Sequence, residues 1–572
     1  MSFARRPLLR RLLPLLLLIL LSLLPLLALV HKNDLGRWDV ARSAMAAPDE
    51  FSYLLLADSL LHGQGVHLAS TIGRDTFYPP GYPLLLALFS VPAGKLTLFG
   101  AHLLNALLLC AGVPLAYAVA RQLLRRLNGP LHRRYRLSEE GLRWLALLCA
   151  ATFAVNWHVL EGALFVFSEP AFTLATLAWI TLALRWPDWP ASPRRALPIA
   201  LLAVAAYTIR GAGLVCLATT LLYAGLSLLQ QRRAVRGRVV SLLLILLLAG
   251  AAKYATRYTD NAPNAYSHQL VNGLTDGGRF SFARPRDYRP LLLHTADLAA
   301  SHLDDLAQAF TPIPRVFPDL GPLSFIGRVL ALLALTSWLV QLVRRRSGTR
   351  FLDFYLLLYF GLYLLWPFNM ARFWTPVLPF LLPYAAHAAR ALAGAATPAR
   401  RQFVQAGPVL LLALLLVLHG EELYLHLPPY QRRLNYVSDA LASAATIVRQ
   451  RSPDPRQTFL CVEGGDEYFI FAWYLAHPPG GAAGDTGLRP RAPREGERIE
   501  SLLVRTLADA AQVPQAQVFV ASYFDESLFQ EVFANLRRDD PELMSRYAIV
   551  KIYQKGIEVN LWELRPIAAT TR

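Results

Sequence analysis

The residues of this chain best suited to chemistry stand where apolar stretches begin or end. Asp49 and Glu50 follow Pro48, Glu169 lies between Ser168 and Pro170, Arg210 precedes Gly211-Ala212-Gly213, and Arg372 precedes Phe373. A carboxylate can take the proton of a hydroxyl, and a guanidinium can hold phosphate oxygens through paired donors. Tyr78 opens the rigid run Tyr78-Pro79-Pro80-Gly81-Tyr82-Pro83, and His158 and Glu161 are less anchored alternatives. Each group also has a plainer explanation. Asp49, Glu50 and Glu169 suit helix N-termini, the arginines can reach lipid phosphate, and the prolines can simply redirect the chain. His294, Asp297, His302, Asp304 and Asp305 have some helical spacing but no tight metal-ligand pattern, so a solvated helix is expected there.

What must position these groups is a membrane domain. Of 572 residues, 55% are hydrophobic and only 17% charged, with a mean hydropathy of +0.35. Soluble chains carry nearer a quarter charged residues. The apolar residues come in long uncharged blocks, which excludes a soluble enzyme, a disordered scaffold and a disulfide framework. The net charge of +18 does not call for nucleic acid: arginine supplies all but five of the 57 basic residues, clustered in short links where they orient a chain in a bilayer. Cys110, Cys149 and Cys216 lie in apolar blocks and Cys461 stands alone, so no disulfide or metal-knuckle spacing exists.

Leu12–Val30 is uncharged over 19 residues, about 28 Å of helix. Arg5, Arg6, Arg10 and Arg11 precede it, so the N-terminus is expected in the cytoplasm, and the stretch lacks the small-residue cleavage site of a signal peptide. Further spans are expected at 96–121, 142–158, 169–186, 196–209, 211–230, 239–256, 323–343, 351–366, 373–393 and 404–419. The stretch 79–94 holds four prolines and reads as a surface or re-entrant helix. Parity supports this choice, because counting it as a span would turn every later arginine cluster outward. A single helix over 196–230 would run about 52 Å, too long for one crossing, so a hairpin is expected at Arg210-Gly211-Ala212-Gly213.

Eleven spans put the first outer loop 31–95, the link 159–168, the Arg210 hairpin, the long loop 257–322, the turn 367–372 and everything beyond 420 on the extracytoplasmic side. Pro48 and Asp49 would start a short helix lying on the bilayer surface. Two domains are expected, a membrane domain 1–420 and a small extracytoplasmic α/β domain 421–572. In the latter, Thr458–Val462, Gln517–Ala521, Ala548–Tyr553 and Glu558–Leu564 read as strands, Val437–Gln450 and Glu526–Leu536 as helices, and Pro478–Glu497 as a loop. Gly464-Gly465-Asp466-Glu467-Tyr468 matches the signature of diguanylate cyclases over five residues only. That chemistry needs cytoplasmic GTP, so a helix-opening turn fits better.

Taken in order, Pro48-Asp49-Glu50 with Tyr53, the run Leu61-His62-Gly63-Gln64-Gly65, Tyr78 to Pro83, Ser168-Glu169-Pro170, and Arg372-Phe373 with Pro376 and Pro379 resemble the GT-C superfamily of membrane glycosyltransferases. The resemblance is to glycosyltransferase family 39 and its relatives, which include protein O-mannosyltransferases and aminoarabinose transferases. It implies an all-α polytopic fold and transfer of a sugar from a polyprenyl phosphate to a lipid, protein or polysaccharide acceptor outside the cytoplasmic (inner) membrane. It implies Asp49 as the principal catalytic carboxylate with Glu50 beside it, Glu169 as the second acidic position, and Arg372, with Arg210, at the donor phosphate. Some relatives carry a lysine before the Pro-Pro pair; Tyr78 stands here instead and leaves phosphate neutralisation to arginine. A divalent metal between carboxylates and phosphate is compatible with this set, although no ligand spacing requires one. A transporter or flippase of lipid-linked sugars would instead place ionisable residues at mid-span and show paired repeats. A non-catalytic assembly protein on the same scaffold is the third reading.

Overall fold

A computed structural model describes residues 5–32, 48–66, 78–128, 137–230, 234–257, 266–276, 279–281, 283–311, 325–344, 350–368, 370–394, 409–410, 413–420, 440–452, 454, 457–462, 475, 490–491, 499–513, 516–522, 526–555 and 559–567. The chain divides into two compact units. The first comprises residues 1–32, 76–82 and 102–428, the second residues 33–75, 83–101 and 429–572.

The first unit is helical. Its elements are α1 (Arg5–Ser22), α2 (Leu24–Lys32), most of α5 (Leu98–Asn128), α6 (Glu139–Val155), α7 (Trp157–Leu164), α8 (Glu169–Arg185), α9 (Pro193–Ile209), α10 (Leu214–Gln230), α11 (Val235–Ala255), α12 (Tyr266–Leu274), α13 (Tyr288–Phe310), α14 (Phe325–Arg344), α15 (Arg350–Tyr363) and α16 (Leu378–Gly394). Among the described residues, four helices are long and apolar enough to cross a bilayer by length and composition: α5, the stretch Gly211–Gln230 ending α10, α11 and α14. On α11, Leu243 is 61% and Leu247 71% exposed, which in a helix apolar on all faces marks a surface for lipid. The chain is a multi-pass membrane protein.

Several expected boundaries move. The third expected span, 142–158, stops at Val155, because Asn156 leaves the helix and its side chain accepts the amides of His158 and Val159 to start α7. The link expected at 159–168 is therefore partly helix. Expected span 373–393 does not open at Phe373. Residues Ala371–Val377 form a 3-10 helix and α16 starts only at Leu378. The loop 257–322 contains α13, whose His302, Asp305, Leu306, Ala309 and Phe310 are buried; it is a docked helix, not the solvated one expected. α13 packs against α14 and against the 3-10 segment.

The hairpin expected at Arg210 is present, with Gly211–Gly213 as one 3-10 turn between α9 and α10. Gly213 is required by close approach: a Cβ there would lie 2.2 Å from the carbonyl carbon and oxygen of Ala206. The short helix expected at 79–94 is α4 (Gly81–Ser90), followed by a 3-10 turn at Val91–Ala93.

The second unit contains α3 (Pro48–Leu61), most of α4 and the C-terminal region. α3 is not an amphipathic surface helix as expected. Glu50, Phe51, Ser52, Tyr53, Leu54, Leu55, Leu56 and Ala57 are all buried, which leaves no solvent or lipid face over two turns. The C-terminal sheet has five strands in the order β2-β1-β3-β5-β4. They are β1 (Thr458–Val462), β2 (Pro490–Arg491), β3 (Gln517–Ser522), β4 (Tyr547–Lys555) and β5 (Val559–Pro566). β1 runs parallel to β2 and β3, with Thr458 opposite Gln517, and β5 runs antiparallel to β3 and β4. The helix Ile499–Ala510 makes the crossover that a parallel pair needs. Its Leu502, Leu503 and Leu507 share a core with Cys461, Val518, Val520, Phe533 and Trp562.

β2 falls inside the segment expected as loop, whose remaining residues 478–489 and 492–497 lie outside the described ones, as does the Gly464–Tyr468 run.

Gly213→Ala is expected to lower stability by about 1–3 kcal/mol, since the obstructing atoms are backbone. Gly225→Ala, where a Cβ meets nothing within 4 Å, is the control. Thermal midpoints of the detergent-solubilised proteins check this; equal midpoints would show that the turn is not tightly closed.

Candidate functional site

The first unit brings Glu169, Arg210 and Arg372 together. Glu169 opens α8, with Pro170 in the first turn, where a missing N–H costs nothing. Its Oε2 lies 2.9 Å from Nη1 of Arg210, and its Oε1 lies 3.4 Å from Nε of Arg372. The carboxylate side chain is 9% exposed and each arginine side chain 15%. Three charges at that depth are tolerated because each has an opposite partner. Ser168, which precedes α8, makes no capping bond; its Oγ accepts from Arg210 Nη1 at 3.1 Å.

Aromatic rings hold both guanidiniums. Arg372 lies over the Phe167 ring at 4.0 Å and Arg210 over the Phe373 ring at 5.2 Å, within cation–π range. The Phe167 ring is stacked on Phe165 at 4.9 Å.

The backbone that carries these residues is irregular, and polar side chains complete it. Asn105, near the start of α5, offers its Nδ2 to the carbonyls of Gly162, Phe165 and Phe167 at 3.0, 2.8 and 3.1 Å. Its Oδ1 accepts from the Tyr82 hydroxyl at 2.9 Å. Tyr359 donates to the carbonyl of Phe373 at 2.6 Å, and Thr375 to that of Arg372 at 2.8 Å. His302 Nε2 donates to the carbonyl of Trp366 at 2.6 Å, and its Nδ1 lies 3.6 Å from the Asp305 carboxylate.

Gly81 binds the proline run to the same site. A Cβ there would lie 2.6 Å from the backbone carbonyl of Thr208, two residues before Arg210.

The other expected residues are placed as follows. Tyr78 is buried at the start of the run that Gly81 anchors. Glu50 is 1% exposed and belongs to the second unit. Asp49 is a residue of α3 whose side chain lies outside the described ones. His158 and Glu161 pair with each other at 3.3 Å on α7. The sequence reading does not identify Asn105, Phe167 or Tyr359 as site residues, and it assigns His302 to a solvated helix. A lone asparagine within the apolar block 96–121 is the one available signal.

Among the described residues, no three His, Cys, Asp or Glu side chains gather as a metal site requires. Both Glu169 oxygens face guanidiniums, so this donor set does not fit a cation. What it does fit is an anion such as phosphate, held between two arginines.

No protein-family model matches the chain, and no curated protein matches its sequence. Solved structures do match. The oligosaccharyltransferase of Archaeoglobus fulgidus, solved with zinc and sulfate, aligns with a TM-score of 0.54 at 13% identity over 95% of this chain and 72% of that one. The archaeal oligosaccharyltransferase AglB from Archaeoglobus fulgidus, solved with an inhibitory peptide and a dolichol-phosphate, aligns with a TM-score of 0.52 at 13% identity over 99% and 75%. ArnT from Cupriavidus metallidurans bound to undecaprenyl phosphate aligns with a TM-score of 0.51 at 14% identity over 96% and 98%.

Asn105→Leu is expected to cost about 1–3 kcal/mol by orphaning buried carbonyls, and Tyr82→Phe about 1 kcal/mol. Thermal midpoints check both, and an Asn105→Leu protein as stable as wild type would show that Asn105 does not hold these carbonyls in place. At these identities the likeness speaks to architecture, and this chain has the fold of the GT-C membrane glycosyltransferases.

Proposed function

We propose that the chain is a glycosyltransferase that moves a sugar from a polyprenyl phosphate to an acceptor at the extracytoplasmic face of the cytoplasmic membrane. The observation that carries this reading is the meeting of Arg210, Arg372 and Glu169 within a GT-C fold. The structural neighbours solved with dolichol-phosphate and undecaprenyl phosphate support a lipid-phosphate donor. The arginine clusters of the links support a cytoplasmic N-terminus and outward-facing loops.

The reaction is a single displacement with inversion. The acceptor oxygen bonds to the anomeric carbon as the bond from that carbon to the phosphate oxygen breaks. The electron pair leaves on the phosphate, and the acceptor proton passes to Asp49, a role worth roughly 10²- to 10⁴-fold. Glu50 stands beside Asp49 in sequence and supports its orientation. Arg372 and Arg210 meet the charge developing on the departing phosphate, and Tyr78 lines the donor side. Because a phosphate leaves readily, no strong general acid is needed. A transporter would place its ionisable residues at mid-span. Here Glu169 and Arg210 stand at helix ends and Arg372 in a 3-10 segment.

Full-length protein incubated with radiolabelled polyprenyl-phosphate sugars is expected to release polyprenyl phosphate. Asp49→Asn is expected to abolish that release while the protein folds normally. Arg372→Gln is expected to lower kcat by about 10²- to 10³-fold. Full activity of Asp49→Asn would remove Asp49 from the mechanism, and no release from any such donor would refute the glycosyltransferase reading.

A further inference from the structure

A carboxylate of the chain itself, that of Glu169, already lies between Arg210 and Arg372. Glu169 lies between the two guanidiniums, its Oε2 2.9 Å from Nη1 of Arg210 and its Oε1 at an ion-pair distance of 3.4 Å from Nε of Arg372, between the same two cations that a phosphate would bridge. The rings of Phe167 and Phe373 cover faces of the guanidiniums, so an anion entering between the two arginines has to compete with the Glu169 carboxylate for their charge. Resting on the reading of Arg210 and Arg372 as the donor-phosphate seat, we infer that Glu169 is its built-in counter-anion, which occupies it when empty and makes it favour the phosphodiester donor over the phosphomonoester product.

The charge balance supplies the reason. Two arginines and one glutamate make the seat singly positive. A sugar phosphodiester carries one negative charge. The product monoester carries about 1.5 to 2 negative charges at pH 7. Two bare arginines would therefore hold the product more tightly than the donor, and turnover would stall on release. With Glu169 in the cluster the seat matches a monoanion. Transfer then raises the charge on the phosphate directly beside a carboxylate ready to reclaim both guanidiniums. Every anion binds at the expense of the Glu169 contacts, so its apparent affinity falls by the fraction of protein in which the seat is open.

The test uses full-length protein in nanodiscs with two probes, undecaprenyl phosphate as the monoester and its methyl ester as the diester. Glu169→Gln keeps the side-chain size and removes the charge. It is expected to bind the monoester about ten- to hundredfold more tightly than wild type, with a smaller gain for the methyl ester. Arg372→Gln is expected to weaken both probes. If Glu169→Gln binds the monoester no more tightly than wild type while Arg372→Gln weakens it, the counter-anion role is wrong and the phosphate seat stands. If Arg372→Gln leaves both probes unchanged, the seat itself is misplaced and the inference falls with it. Should Glu169→Gln fail to fold, Glu169→Asp retains the charge but withdraws it by one methylene. Monoester affinity above wild type then supports the inference, and affinity at or below wild type overturns it.

Discussion

A single carboxylate between two guanidiniums is the constraint around which the membrane unit is arranged. Charges at this depth are costly unless they are matched, and Glu169, Arg210 and Arg372 match one another across three segments distant in sequence. Each segment takes the backbone form that brings its residue to the common point. α8 starts at Glu169, α9 ends where Arg210 turns the chain, and the 3-10 helix after Met370 carries Arg372. Removing the glutamate would leave two like charges facing each other, so the three residues form one electrostatic object.

Irregular backbone near a membrane is tolerated only where protein groups satisfy it, and the structure provides such groups around the site. Asn105 serves carbonyls of the α7–α8 connection, Tyr359 and Thr375 those of the 3-10 helix, and His302 that of Trp366. They satisfy backbone carbonyls of the segments that carry the charges. Gly213 and Gly81 act by absence, allowing backbones to meet where a Cβ would not fit.

Much of this was legible in sequence. The apolar blocks and arginine-rich links announced a polytopic protein, the proline count set 79–94 apart from the spans, and length alone demanded the Arg210 hairpin. In the C-terminal region β1 lies where alternation placed it, and the other three expected strands shifted by one or two residues at their ends. The failures share a cause. The end of α6 at Asn156, the 3-10 start before α16, the burial of α3 and the docking of α13 all depend on what a segment packs against, which hydropathy does not record. β2 spans only two residues and exists because β1 lies beside it.

The sequence by itself determined the class of environment, the rough position of most helices and the short set of charged residues worth attention, because hydropathy, proline and arginine act locally through the solvent each segment meets. Only the tertiary structure decided that Glu169 faces both arginines, that Ser168 serves Arg210 instead of capping its helix, and that Asn105 ties the connecting loop in place. Those pairings join residues tens to hundreds of positions apart. Their energies depend on distance and burial in the folded chain, and no local pattern encodes either.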